Sequence, residues 1–141
     1  MLEVGRLNPE HINTVWPDVS AMIEAKGSEL LKTYSLKELY CAVLTGTYEL
    51  WLVTRGSELK MFGFCVWDRH DERSDYHVLW IVGEGLENLK AAIPVVERYA
   101  CLHGASELIF GGRGGWARVL EPLGFVPKRQ WCKPVSICWR H

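Results

Sequence analysis

A chain of 141 residues that is 48% hydrophobic and 23% charged fits one globular domain, large enough to close a single core. A formal charge of −1, with no long run of Lys or Arg, removes the general electrostatic attraction on which nucleic-acid and anionic-membrane binding rest. No window of about 18 apolar residues and no charged-then-apolar leader at Met1 is present, so a cytoplasmic protein without a membrane span is expected.

Taken in chain order, "LEVGRL" predicts a short strand. "NPEHINTVWPDVSAMIEAKG" predicts a helix with Asn8 as N-cap and Pro9 at its first position, where the missing N–H costs nothing. Ile12, Val15, Val19, Met22 and Ile23 recur at helical spacing, with Pro17 as a bend or restart and Gly27 as the stop. In "YSLKELYCAVLTG", Ser35 and Glu38 form a capping-box pair ahead of a second apolar stripe that Gly46 closes. "YELWLVT" and "LKMFGFCVWD" read as strands joined at "RGSE", and "DYHVLWIV" is a third strand after the polar loop "RHDERS".

From Leu86 the period turns helical, with Leu89, Ile93, Val96 and Ala100 on one face, Pro94 as an oddity and Gly104 as the stop. "SELIFGG" is strand-like, and "GWARVLEPLGF" reads as a short helix with Trp116, Val119, Leu120 and Leu123 inward and Gly124 as its C-terminal cap. "QWCKPVSICW" ends the chain as one or two strands, Pro134 marking a bulge or an edge. The cysteines Cys41, Cys65, Cys101, Cys132 and Cys138 are odd in number, include no CxxC pair and sit mostly in apolar runs, which predicts buried, reduced thiols.

The stretch "LWIVGEGLEN" runs from a strand through two glycines into a helix. Such a turn either aims backbone amides and a helix dipole at an anion or simply reverses the chain. The order β, α, α, β, β, β, α, β, α, β, with this turn and a late "LGF", resembles the GNAT (Gcn5-related N-acetyltransferase) superfamily over nearly the whole chain. The segment "ERYACLHGASELIFGGRGGWARVLEPLGFVPKRQWCKPV" is similar to small GNAT-like proteins of tailed bacteriophages. The positions that match are Glu97, Ala100, Gly104, Arg113, Gly115, Trp116, Arg118, Leu120, Gly124, Phe125 and Lys133.

The resemblance implies a mixed α/β (α+β), largely antiparallel sheet of six or seven strands with about four helices on its two faces, those starting near Pro9 and Leu86 lying on opposite sides. It also implies acetyl-CoA as the cofactor, held by Val82, Gly83, Glu84, Gly85 and Leu86, with Arg113 in "GGRGGW" as a further phosphate contact, and a small-molecule or protein amine as acceptor. Two family features are missing. The Arg or Gln that precedes the glycines in the family's turn falls here on Trp80, and the Tyr four residues before the late glycine falls on Leu120. Glu84, Tyr76 and His77 are the candidates for proton transfer. Glu84 and Glu87 put two carboxylates beside the pyrophosphate site, and an indole at Trp80 lining the coenzyme gap would take the space of the pantetheine arm and supply no cation, so weak or undetectable acetyl-CoA binding is expected.

An alternative takes the missing features at face value: a non-catalytic phage structural, assembly or host-interaction protein on the same fold, in the host cytoplasm or the virion, needing no cofactor. Seven tryptophans then offer an aromatic surface for a protein partner. The five histidines are too scattered relative to the cysteines to suggest a metal site, so none is expected. Cys132 beside Lys133 lacks the neighbours of a nucleophile.

Overall fold

The computed structural model describes residues 1–111, 120–127 and 131–134. Within them the chain forms β1 (Leu2–Arg6), a 3-10 turn at Pro9–His11, α1 (Ile12–Lys26), α2 (Ser28–Thr33), α3 (Leu36–Leu44), β2 (Glu49–Arg55), β3 (Glu58–Arg69), β4 (Ser74–Gly83), α4 (Leu86–Leu102), β5 (Glu107–Phe110), a 3-10 turn at Glu121–Leu123, β6 (Val126–Pro127) and β7 (Trp131–Pro134). The fold is a mixed α+β architecture. One seven-stranded sheet of order β1-β2-β3-β4-β5-β7-β6 is antiparallel throughout except where β4 and β5 run parallel.

Local signals account for most element ends. Asn8 Oδ1 accepts from the Glu10 amide at 3.1 Å, and the Ser35/Glu38 capping box is closed by bonds of 2.9 and 3.1 Å. Gly124 ends the late 3-10 turn in the left-handed region at φ 92°, as a C-terminal cap. Two elements departed from the expectation. The first helix proper begins at Ile12, after a 3-10 turn, and "SELLKT" beyond Gly27 forms the additional short helix α2, burying Leu30. Of the helix expected over "GWARVLEPLGF", the described end is the 3-10 turn Glu121–Leu123 preceded by Leu120, while its first part and the end of the terminal strand, "VSICW", lie outside the described residues.

The sheet separates two cores. On one face α4 packs Leu89, Ile93, Val96 and Ala100 against Trp51, Val53, Met61, Tyr76, Val78, Leu108 and Phe110. On the other, α1, α2 and α3 pack Val19, Ile23, Leu30, Leu39 and Val43 against Leu50, Phe62, Phe64 and Val82. The helices that start near Pro9 and at Leu86 therefore lie on opposite faces. Burying each such aliphatic side chain is worth about 1.5–3 kcal/mol, so both layers are needed to hold a sheet this wide.

Several positions of the late motif converge on a structural tie. Lys133 Nζ on β7 donates to Glu97 Oε1 of α4 at 3.0 Å, its stem passes Gly124, and its ammonium lies 5.9 Å from the Phe125 ring centroid. A Cβ at position 124 would meet Lys133 Cε at 3.3 Å on a backbone already at positive φ. Of the four described cysteines, Cys65, Cys101 and Cys132 are buried and Cys41 is exposed.

Candidate functional site

β4 has two halves of different character. From Asp75 to Val78 it pairs with β5, Asp75 opposite Glu107 and Val78 opposite Phe110. Beyond Val78 the β5 pairing stops, while β3 continues alongside β4 to Gly83. The register with β3 slips at the same place: Phe64 faces Trp80 and Cys65 faces Val78, so Leu79 is an extra, bulged residue. In an unbroken strand Tyr76, Val78, Trp80 and Val82 would share one face. The bulge sends Tyr76 and Val78 to the α4 side and Trp80 and Val82 to the α1 side. The Trp80 indole thus packs among Phe62, Phe64 and the first helices, and it is Ile81 that faces α4.

The result is a strand edge, Leu79 to Gly83, whose side toward β5 is not used by β5. Beneath it on the α4 side lies an apolar cavity of about 30 Å³ lined in part by Val78, Ile81, Phe110, Leu89, Ile93 and Val96. A polar head group would find no partner there, whereas an aliphatic chain or a thioester would lose little on leaving water.

The glycine turn closes this edge. Gly83 at φ 143° passes so close to β3 that a Cβ would sit 2.6 Å from both Lys60 O and Met61 Cα, so only glycine fits. The Glu84 amide donates to Lys60 O at 3.3 Å, and Asn88 ties the turn back by giving its side-chain amide to Glu84 O at 2.8 Å and its backbone amide to Gly85 O at 3.1 Å. Gly85, at φ 90°, is the N-cap of α4 and supplies no side-chain cap. Among the described residues no acceptor meets the amides of Gly85, Leu86 and Glu87. These three donors at the positive end of a 17-residue helix form an anion-binding arrangement.

The charges around the turn differ from what its sequence suggests. Glu84 is exposed, but Lys26 at the end of α1 reaches it at 2.8 Å, and the Lys26 hydrogen bond and charge, with Lys60 farther off, hold its carboxyl below the ordinary range. A cation is thereby fixed at the turn from a helix 58 positions upstream, and nothing in the sequence pattern marks it. Glu87, by contrast, remains exposed in the first turn of α4.

The other residues singled out for proton transfer are held elsewhere. Tyr76 is fully buried on the α4 side, accepts from Trp51 Nε1 at 2.8 Å and donates to Glu49 Oε1 at 2.6 Å. Burial, with the neighbouring Cys65 and Glu49, pushes its phenol far above the ordinary tyrosine value. Tyr99 of α4 also donates to Glu49, at 3.0 Å, and burial raises it too. Arg6 completes the group, 3.7 Å from Glu49 Oε2 and 5.0 Å over the Tyr99 ring. This closed network, centred on a carboxylate that sequence reasoning did not single out, joins β1, β2, β4 and α4. His77 lies at the opposite end of β4 from the turn.

Leu120, at the position where a proton-donating tyrosine would stand, is a fully buried core residue. Val82 is buried on the α1 side, and Arg113 lies outside the described residues. Of the tryptophans, Trp51 is buried and Trp16, Trp67 and Trp80 are partly buried. Among the described residues, no helix is long and apolar enough to cross a membrane.

No family model and no curated protein matches the chain. Solved structures do. The fold is similar to an aminoglycoside 6'-acetyltransferase type Ii, with a TM-score of 0.73 and 10% identity over 94% of this chain and 97% of that one. It is equally similar to an N-acetyltransferase from Staphylococcus aureus Mu50, with a TM-score of 0.73 and 10% identity over 96% and 98% of the two chains. An aminoglycoside acetyltransferase from an uncultured soil metagenomic sample, solved with sisomicin, matches at a TM-score of 0.66 and 11% identity over 86% and 84%. At these identities the likeness is one of fold, that of the GNAT acetyltransferases.

Proposed function

We propose that the chain binds an acyl-coenzyme A along the free edge of β4 and transfers its acyl group to an amine. The observation that carries this reading is the edge from Leu79 to Gly83 leading directly into three amides at the start of α4 that meet no acceptor among the described residues. The donors suit a pyrophosphate, and Lys26 offsets part of its charge. The two grounds for expecting weak binding are reduced: Trp80 packs toward α1, and Lys26 pairs with Glu84, while Glu87 stays exposed beside the turn. Bound there, the coenzyme supplies a thioester whose carbonyl carbon accepts an amine.

The chain's own contribution is orientation and exclusion of water. Among the described residues no carboxylate or imidazole lines the cavity, and its one titratable side chain, the Cys65 thiol, is held far above the usual thiol range by burial. The acceptor amine therefore arrives neutral or gives its proton to water, and the rate rises with pH as the neutral amine becomes more abundant. Leu120 and the loss of a cation at position 80 favour a second reading, a non-catalytic protein, phage-encoded or not, that keeps the fold without the coenzyme.

Calorimetric titration with acetyl-CoA separates the two. A micromolar dissociation constant, worth roughly 7–8 kcal/mol, that weakens about threefold to tenfold in Lys26→Ala supports the proposal. Absence of heat at millimolar coenzyme would end it. Release of free thiol with a panel of amines then tests transfer.

A further inference from the structure

The far end of β4 carries a second constellation, independent of the coenzyme reading. The hairpin between β3 and β4 repeats one pattern on both of its strands: Asp68-Arg69-His70 on the way in and Asp75-Tyr76-His77 on the way out. Asp68 stands directly opposite Asp75, and Asp75 directly opposite Glu107 of β5, so three carboxylates line up across three adjacent strands. Like charges placed opposite each other destabilise a sheet unless a cation lies between them.

One cation is present. Arg73 Nη2 bridges Asp75 Oδ1 at 2.7 Å and Glu107 Oε1 at 2.8 Å, which compensates the β4–β5 side. The β3–β4 side has two imidazoles instead. His70 Nε2 lies 3.3 Å and His77 Nε2 3.6 Å from the same atom, Asp68 Oδ2. Neither is a short ion pair, and the His77 Nε2 atom is buried without any hydrogen-bond partner. Ligand atoms of Asp68, His70 and Asp75 all lie within 4.8 Å of one another.

We propose that Asp68, His70, Asp75 and His77 form a binding site for a zinc ion. Ligands about 2.0–2.1 Å from a tetrahedral zinc stand about 3.3–3.4 Å apart, close to the two imidazole-to-carboxylate separations and longer than a direct hydrogen bond. The orphaned Nε2 gains a partner, and the Asp68–Asp75 repulsion is removed. Two imidazoles with two carboxylates select a borderline metal of the zinc type over magnesium or calcium, which take oxygen donors. Arg73 holds one oxygen of Asp75 and leaves the other for the metal, and the His70 amide, bonded to Arg73 O at 2.8 Å, fixes the hairpin that presents His70. The site is structural: it fastens the hairpin at roughly 26 Å of strand length from the Gly83 turn.

The test is competition of untagged, metal-stripped protein against a chromophoric chelator for zinc, in a Cys41→Ser background that removes the exposed thiol. One zinc per chain with a dissociation constant below about 10 μM, weakened at least about tenfold by His70→Ala and by His77→Ala but unchanged by His11→Ala, supports the site. His70 is exposed, so His70→Ala reads out even if His77→Ala fails to fold. Cobalt in place of zinc should give the intense visible bands of tetrahedral coordination. Weaker or non-saturable binding, or binding indifferent to His70, overturns the proposal and leaves plain imidazole–carboxylate contacts. Coenzyme titration is unaffected in either case.

Discussion

The two halves of β4 show how one strand can serve opposite purposes. From Asp75 to Val78 it is enclosed by β3 and β5, Arg73 bridges Asp75 to Glu107, and Tyr76 is locked into the Glu49 network. From Leu79 to Gly83 it keeps β3 but not β5, and it leads to amides that meet no acceptor among the described residues. A single extra residue, Leu79, separates them by turning the side chains over, and Leu79 itself is 36% exposed. Rigidity on one side of a bulge is what allows an open edge on the other. A free strand edge in a small sheet stays put only if its neighbours are fixed.

The comparison breaks most visibly at Gly83. Gly83→Ala forces a Cβ into the backbone of β3 at a positive φ, and a loss of about 3 kcal/mol or more is expected, measured as a lowered denaturation midpoint with weakened coenzyme binding. Gly85→Ala shares the positive-φ strain, at 90°, but its Cβ would meet only the movable Asn88 side chain at 3.1 Å, so it should cost less. Equal costs at the two positions would mean that the turn does not lean on β3.

Tyr76→Phe probes the enclosed half. It leaves the Trp51 N–H unsatisfied and takes one donor from Glu49, for about 2 kcal/mol of stability without loss of coenzyme binding. The same phenol predicts an alkaline limit. Its raised pKa favours the neutral form in the folded state, so its contribution is full below the ordinary value of 10.0 and is lost as pH climbs above it. Alkaline unfolding should therefore be milder in Tyr76→Phe than in the parent chain.

The smallest effect is expected at the turn's ion pair. Both partners of the Lys26–Glu84 contact have solvent access, so Lys26→Ala should leave the denaturation midpoint unchanged. The Glu84 carboxyl, now held low by Lys26, should titrate closer to its ordinary 4.5, as followed by side-chain carbon resonances. A Glu84 titration indifferent to Lys26 would remove the cation from the turn.

The sequence made the layers legible because each depended on local chemistry: caps at Asn8 and Ser35, stripes at helical spacing, and Gly83 and Gly85 before Leu86. What it concealed depended on register. The bulge at Leu79 leaves no mark in "HVLWIV", yet it decides that Trp80 faces α1. Glu49, at the start of a strand, reads as a solvated charge until Tyr76, Tyr99 and Arg6 close around it. Lys26 meets Glu84, and Asp68 meets Asp75, only through pairings between elements. The histidines looked scattered when measured against the cysteines, although carboxylates two positions away were their neighbours.

The most direct measurement is the response of backbone amide resonances to added acetyl-CoA. Shifts concentrated at residues 79–87, largest for the amides of Gly85, Leu86 and Glu87, with residues 68–77 unmoved, are the predicted result. Unmoved resonances at Gly85, Leu86 and Glu87 at saturating coenzyme, or shifts confined to the β3–β4 hairpin, would contradict the assignment of the free β4 edge as the coenzyme site.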